Sequence, residues 1–149
     1  MIVGTPKPDS KLYEVGELII WHSRQTATLC LQNFKGHYLR MRNTECHNTD
    51  LIEFLKKWIS GEDHLNIEAV FLTSTIEMEF NPENIMVEFK TMRWDKKRRP
   101  REYVYKKGNS NVWETPTDCA DFLDVERKTD GKLASFYVTH KSFTFLVWT

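Results

Sequence analysis

Large apolar residues recur at helical spacing between residues 48 and 61. Asn48 stands at the start of this stretch and Gly61 at its end, where these residue types favour helix caps. A helix of about a dozen residues is not stable alone in water, so its apolar face must pack against other elements, here a sheet. We therefore predict a helix that supplies five core residues, Leu51, Phe54, Leu55, Trp58 and Ile59.

Alternating apolar and polar residues flank this helix and predict short strands over residues 27–31, 37–42 and 65–72. Residues 16–22 form a further apolar run that suits a strand or the end of a helix. A strand, a helix and a returning strand make a βαβ unit, whose two strands pair in parallel. The unit is also close to the size of one solenoid repeat, which makes the predicted layer leucine-rich-repeat-like.

The second half of the chain has a mostly β pattern. Residues 81–84 suit a turn or a short helix, whereas residues 85–90 and 102–105 alternate as strands. Asp130-Gly131 then marks a hairpin. Trp148 is the last residue of the final apolar run, residues 143–148, and is a further predicted core residue. The predicted fold is α/β, a leucine-rich-repeat-like βαβ layer continuing into an antiparallel C-terminal β-meander, with α+β as the alternative.

Length, charge and cysteine usage narrow the classes of function. A chain of 149 residues suits one domain, and its 21 basic and 21 acidic residues create no overall field toward nucleic acid or an anionic membrane. No run approaches the roughly 20 apolar residues of a membrane span. Three widely spaced cysteines and the lack of an Asn-x-Ser/Thr acceptor favour a reducing compartment. We expect an intracellular protein, cytoplasmic or nuclear.

Residue types with catalytic chemistry are present but are not organised by any motif. The possible nucleophiles are Cys30, Cys46 and Cys119, with five histidines as possible bases. No glycine-rich elbow, phosphate-binding loop or paired metal-ligand spacing accompanies them. We therefore predict a protein that is not an enzyme and has no cofactor and no catalytic or metal site.

The basic loop, residues 93–107, is the strongest local charge feature. Aromatic residues lie between its cations, as they do in proteins that bind single-stranded nucleic acid. A solvated loop, a contact for an acidic protein, a nucleic-acid site and a nuclear-import signal all fit this pattern. The candidate partner-binding residues are Arg93, Trp94, Lys96, Lys97, Arg98, Arg99 and Arg101, together with Trp113 from the next loop.

Several short motifs, in order, resemble the type 2 F-box-associated domain of nematodes over about residues 27–148. The helix contributes Asp50-Leu51, Phe54-Leu55-Lys56, Trp58-Ile59 and Gly61. The C-terminal part contributes Asp124-Val125-Glu126-Arg127, Asp130-Gly131, Ala134-Ser135 and Phe145-Leu146-Val147-Trp148. In this family the domain follows an F-box, which binds the Skp adaptor of a cullin-based ubiquitin ligase, and it is the presumed substrate receptor.

The resemblance implies a non-enzymatic protein-interaction module of the substrate-receptor kind. Residues 1–26 show no recognisable F-box, so we treat them as an N-terminal arm before a domain of residues 27–149. A Skp adaptor is then an expected partner only if an F-box exists outside this sequence. The alternatives are a nucleic-acid-binding protein that uses the basic loop and a stand-alone regulatory protein that sequesters a partner.

Overall fold

The computed structural model describes residues 10–105 and 115–149. Its helices and strands, after a 3-10 turn at Lys11–Glu14, are β1 (Glu17–Ile20), α1 (Thr26–Asn33), β2 (Tyr38–Thr44), α2 (Asn48–Ser60), β3 (Ala69–Ser74), α3 (Pro82–Met86), β4 (Glu102–Tyr103), β5 (Thr117–Asp118), β6 (Leu123–Glu126), β7 (Leu133–Val138) and β8 (Ser142–Val147).

A six-stranded mixed sheet organises the fold, with strand order β1-β2-β3-β8-β7-β6. Strands β1, β2 and β3 pair in parallel, because α1 and α2 carry the chain back between them. Strands β3, β8, β7 and β6 pair antiparallel, and β4 with β5 forms a separate two-stranded ribbon. The predicted α/β class is confirmed, including a parallel layer that continues into a C-terminal meander.

Helix α2 forms where the apolar spacing predicts it, but its first turn is capped differently. The N-cap residue is His47 rather than Asn48, because the Asp50 carboxylate accepts a hydrogen bond from the His47 backbone N–H at 2.7 Å. Asn48 instead accepts a hydrogen bond from the Asn81 N–H at 2.9 Å and so connects α2 to α3. Gly61 ends the helix at φ 81°, as predicted.

Two predicted strands are helices in the structure. Residues 27–31 lie in α1, because Ala27, Cys30 and Leu31 are spaced i, i+3, i+4 and are all buried on one helical face. Residues 85–90 begin in α3 and continue as turns, because Pro82 starts a helix whose N-cap Asn81 accepts from the Asn84 N–H at 3.2 Å. Both segments are too short for periodicity alone to separate helix from strand.

The parallel layer begins with β1, inside the apolar run of residues 16–22 that suits a strand or the end of a helix. Strand β1 pairs with β2 from Glu17 to Ile20, so residues 17–20 belong to the same sheet although they precede residue 27. The predicted strand over residues 65–72 is displaced, and β3 runs from Ala69 to Ser74. Two consecutive βα units therefore precede β3.

The helices cover one face of the sheet and enclose the main core. Leu51, Phe54, Leu55 and Trp58 are buried there, and Ile59 packs at its edge. The Trp58 ring meets Phe145 of β8 edge to face, with centroids 5.2 Å apart. Trp148 packs in a smaller cluster on the opposite face. None of the helices in residues 10–105 and 115–149 is long and apolar enough to cross a lipid bilayer.

Candidate binding surface on the open face of the sheet

The sheet face opposite the helices is covered only in part. Its first row of side chains runs in register across β2, β3, β8 and β7 as Tyr38, Ala69, Leu146 and Ser135, and all four are buried. Tyr103 and Phe122, from the segments around β4 and β5, join the cluster over this row. On the same face of the sheet, the side chains beyond this row, toward the C-terminal ends of β1, β2 and β3, are more exposed.

A second row crosses five strands in register. It consists of Ile19, Arg40, Phe71, Thr144 and Tyr137. Ile19 is 38 % exposed and Tyr137 41 % exposed, while the three residues between them are half-buried. With neighbouring strands about 4.8 Å apart, the row extends for about 19 Å across the sheet.

A third row lies one pleat closer to the C-terminal ends of the parallel strands. Alternation along each strand places Trp21, Arg42, Thr73 and Ser142 on the same side as the second row. Trp21 is 58 % exposed, and Arg42 and Thr73 are also exposed. We call the second and third rows together the open face.

Each arginine of the open face lies against an aromatic ring. The guanidinium carbon of Arg40 is 4.4 Å from the centroid of Phe71, and that of Arg42 is 4.6 Å from the centroid of Trp21. Arg40 also donates through Nε to the Tyr38 hydroxyl at 2.9 Å. These stacks hold the long side chains close to the sheet and keep their charge at its surface.

A loop held by Asn43 positions the exposed tryptophan. Asn43 has φ 53°, a left-handed conformation that asparagine tolerates, and its side-chain amide donates to the Trp21 carbonyl at 3.0 Å. The same nitrogen lies 3.0 Å from His22 Nδ1. The Ser23 N–H donates to the Arg42 carbonyl at 3.1 Å. The backbone around Trp21 and Arg42 is therefore fixed by hydrogen bonds on both sides.

The basic loop contributes less free charge than its sequence indicates. Arg99 is fully buried and pairs with Asp124, its Nε lying 3.0 and 3.1 Å from the two carboxylate oxygens. It also donates to the carbonyls of Pro100 and Cys119 and lies over the ring of Trp148. Arg99 is a structural residue and cannot contact a partner, which corrects the prediction for this position.

The other predicted residues of the loop divide into paired and unpaired groups. Arg101 forms a bidentate pair with Asp118 at 3.0 Å, and Arg98 donates to the Arg93 carbonyl at 2.8 Å. Trp94 is half-buried, and its indole N–H donates to the Arg99 carbonyl at 3.2 Å.

Within the described residues, four exposed cations of the loop have no side-chain ion pair: Arg93, Lys96, Lys97 and Arg98. Trp113 and residues 106–107 lie outside the part of the chain that the structure describes.

The cysteines are all buried, without disulfide bonds. Burial raises the pKa of Cys30 and Cys46 to about 11 and the pKa of Cys119 to about 12. The thiols stay protonated at neutral pH, and a protonated, inaccessible thiol is a poor nucleophile. In the two described ranges, no group of three or more His, Cys, Asp or Glu side chains is placed to hold a metal ion.

A second concavity lies on the helix side of the molecule. This groove of about 1180 Å³ runs between α2, residues 88–92 and the turn after β6. Its rim carries both signs of charge, and Lys56 bridges to Glu88 at 3.5 Å while Lys57 bridges to Glu53 at 3.2 Å. These charges already pair with each other, which leaves them less available to a ligand.

Sequence reasoning missed the open face although a signal for it exists. The alternation in residues 37–42 places Leu39 and Met41 on one face and Arg40 and Arg42 on the other. The paired arginines alone do not reveal that Phe71 and Trp21, from two different strands, lie beside them. That juxtaposition depends on the register of three parallel strands.

Comparison with known proteins finds two relatives, both uncharacterized proteins of Caenorhabditis elegans. F59B2.9 is 35% identical over 112 residues, which cover 71% of this chain and 24% of that protein. F59B2.8 is 29% identical over 126 residues, which cover 82% of this chain and 26% of that protein. The chain thus spans about a quarter of the length of these curated relatives. No family model matches the chain, and no solved structure matches it.

Proposed function

We propose that this protein is a non-enzymatic protein-interaction module and that the open face is its binding surface. One observation carries the proposal: two arginines stacked on aromatic rings, Arg40 on Phe71 and Arg42 on Trp21, lie side by side on an exposed sheet. Tryptophan, tyrosine and arginine are the residues that contribute most binding energy in protein interfaces. Tyr137 extends the same surface at its far end.

The position of this surface in the fold supports the proposal. In open sheets with parallel strands, ligands bind beyond the carboxyl ends of the strands. Trp21 and Arg42 lie at those ends of β1 and β2. The stacked arginines lose little further conformational entropy when a partner binds, because their side chains are already ordered against the rings.

The resemblance to the nematode F-box-associated domain indicates which biological role such an interaction module would have. In such a protein the module would recognise a substrate, and an F-box elsewhere would bind the Skp adaptor of the ubiquitin ligase. The recognition role would belong to the open face. Coupling to a ligase would belong to the F-box-containing protein as a whole.

A comparison of surface variants tests this function. The tagged full chain, a Trp21→Ser/Arg42→Ser variant and a Lys96→Ser/Lys97→Ser control are each used to recover proteins from C. elegans extracts for quantitative mass spectrometry. We expect a partner that the wild type and the control both retain and the open-face variant loses, and that binds again when purified. An identical set of proteins with all three, or a loss confined to the Lys96/Lys97 variant, would contradict the proposal.

A further inference from the structure

We propose that the outer edge of β1 pairs with the same strand of a second copy of this chain, which joins two six-stranded sheets into one continuous sheet. The inference goes beyond the proposed function, because it concerns the edge of the sheet and not its open face. Pairing is antiparallel about a two-fold axis, so the open faces of both copies lie on the same side of the joined sheet. The backbone groups at this edge, its apolar side chains and the charge of the chain support the pairing.

The two edges of the six-stranded sheet differ in how they are covered. On the β6 side, Met92 exchanges two backbone hydrogen bonds with Asp124, at 2.9 and 2.7 Å. On the other side, β1 pairs with β2, and no further strand pairs with it within residues 10–105 and 115–149. An edge strand without a neighbour is a template for the addition of another strand.

The register of the parallel pair determines which backbone groups of β1 point outward. The Tyr38 N–H donates to the Gly16 carbonyl at 3.1 Å, so residues 16, 18 and 20 direct their backbone groups toward β2. Ile19 therefore directs its N–H and its carbonyl away from β2, and no described residue forms a backbone hydrogen bond with either group. Two copies of Ile19 placed antiparallel satisfy each other's N–H and carbonyl as a hydrogen-bonded pair.

The side chains at this edge are apolar and lack the features that usually prevent strand addition. Val15, Ile19 and Trp21 lie in one alternation and are 39, 38 and 58 % exposed. Residues 15–21 contain no lysine or proline, which are the residues that often protect a natural edge strand. A second strand beside β1 would remove part of this apolar surface from water, which favours association.

Two properties favour a second copy of this chain as the added strand. Antiparallel pairing centred on Ile19 places the two Ile19 side chains together and Glu17 opposite Trp21, so that like charges do not face each other. The chain has no net charge at neutral pH, so two copies approach without the repulsion that keeps strongly charged proteins apart. Because β1 has only 4 residues, the interface is small, and we expect a weak dimer with a dissociation constant on the order of 100 μM.

Sedimentation equilibrium of the intact chain measures this association. We expect the weight-average mass to rise from 17.7 kDa toward twice that value between about 10 μM and about 500 μM protein. Ile19→Lys places two cations opposite each other at the axis and should weaken the dimer at least about tenfold. Ile76→Lys is the matched control, because it makes the same change at a side chain that is 91 % exposed in the turn after β3. This control should associate like the wild type.

A cysteine at the axis tests the register of the pairing. Opposed residues of a hydrogen-bonded antiparallel pair have Cα atoms about 5.5 Å apart, which is within the range that a disulfide bond spans. We therefore expect Ile19→Cys to form a covalent dimer on oxidation with diamide, visible on a non-reducing gel, and Ile76→Cys to form much less. The native cysteines are all buried, so the wild type provides the background.

Three results would overturn the inference. These are a mass of 17.7 kDa at every concentration, equal association of the two lysine variants, and equal cross-linking of the two cysteine variants. None of them bears on the proposed function, which depends on a cellular partner lost by Trp21→Ser/Arg42→Ser.

Discussion

The ion pair between Arg99 and Asp124 makes the basic loop part of the protein's structure. Both side chains have no solvent exposure, and the guanidinium contacts both carboxylate oxygens within 3.1 Å. Ser135 Oγ donates to the same carboxylate at 2.6 Å and accepts from the Trp148 indole N–H at 2.8 Å. The pair thus connects the loop to β6, β7 and the end of the chain.

The substitution Asp124→Ala would leave the guanidinium of Arg99 buried without a counter-charge. Removing one partner of a buried ion pair costs about 3–5 kcal/mol, a large part of the roughly 5–15 kcal/mol that stabilises a typical domain. Asp118→Ala is the matched control, because Asp118 pairs with Arg101 at the same 3.0 Å but with side chains that are 58 % and 60 % exposed. Exposed pairs contribute about 0–1 kcal/mol.

Urea unfolding followed by circular dichroism measures both changes in the free energy of unfolding. We expect a large loss of stability for Asp124→Ala and a small one for Asp118→Ala. A double variant, Arg99→Met/Asp124→Leu, should recover much of the loss, since apolar residues often replace a buried ion pair at little cost. Equal effects of the two aspartate variants would refute the reasoning and would mean that the Arg99 segment is not fixed on the sheet.

Three further predictions concern α2 and the residues that follow it. Trp58→Ala should lower the free energy of unfolding by about 3–5 kcal/mol and Lys57→Ala by much less, and equal urea midpoints would contradict the packing of this face. Gly61→Ala should cost more than about 1 kcal/mol, because Gly61 has φ 81° and an added Cβ would lie 2.4 Å from Thr129 Cγ2. Burial lowers the pKa of His64, so the unfolded chain binds a proton first as pH falls below about 6.5 and stability declines from pH 7 to 5. A His64→Asn variant should show less of this decline in pH-dependent unfolding, and an unchanged profile would exclude His64 as its source.

The parts of the fold that sequence predicts are those in which several local signals agree. In α2, the apolar spacing, the acidic first turn and the terminal glycine all indicate one helix, and the helix has those bounds. The Asp130-Gly131 turn likewise predicts the hairpin between β6 and β7, and Gly131 has the positive φ of 73° that such a turn requires.

The parts that sequence does not predict depend on contacts distant along the chain. Residues 27–31 alternate like a strand, and only the presence of β1 as the parallel neighbour of β2 leaves them to form the connecting helix α1. Arg99 is one of several cations in its segment, and only the position of Asp124, 25 residues away, makes it a core residue. Neither relation has a local signature that periodicity could detect.

The same distinction explains why the proposed binding surface does not coincide with the densest run of basic residues in the sequence. In the basic loop, Arg99 and Arg101 satisfy their guanidinium donors with aspartates, so two of its arginines have little left to offer a partner. In β2, Arg40 and Arg42 alternate with apolar residues and form no run of basic residues. Each of them lies on an aromatic ring at the open end of the sheet. An arginine paired with an aspartate uses its strongest donors within the protein, whereas Arg42 lies exposed on the Trp21 ring and forms no side-chain ion pair with the described residues. The capacity of this protein to bind a partner should therefore follow the stacked arginines of β2 rather than the longer run of basic residues.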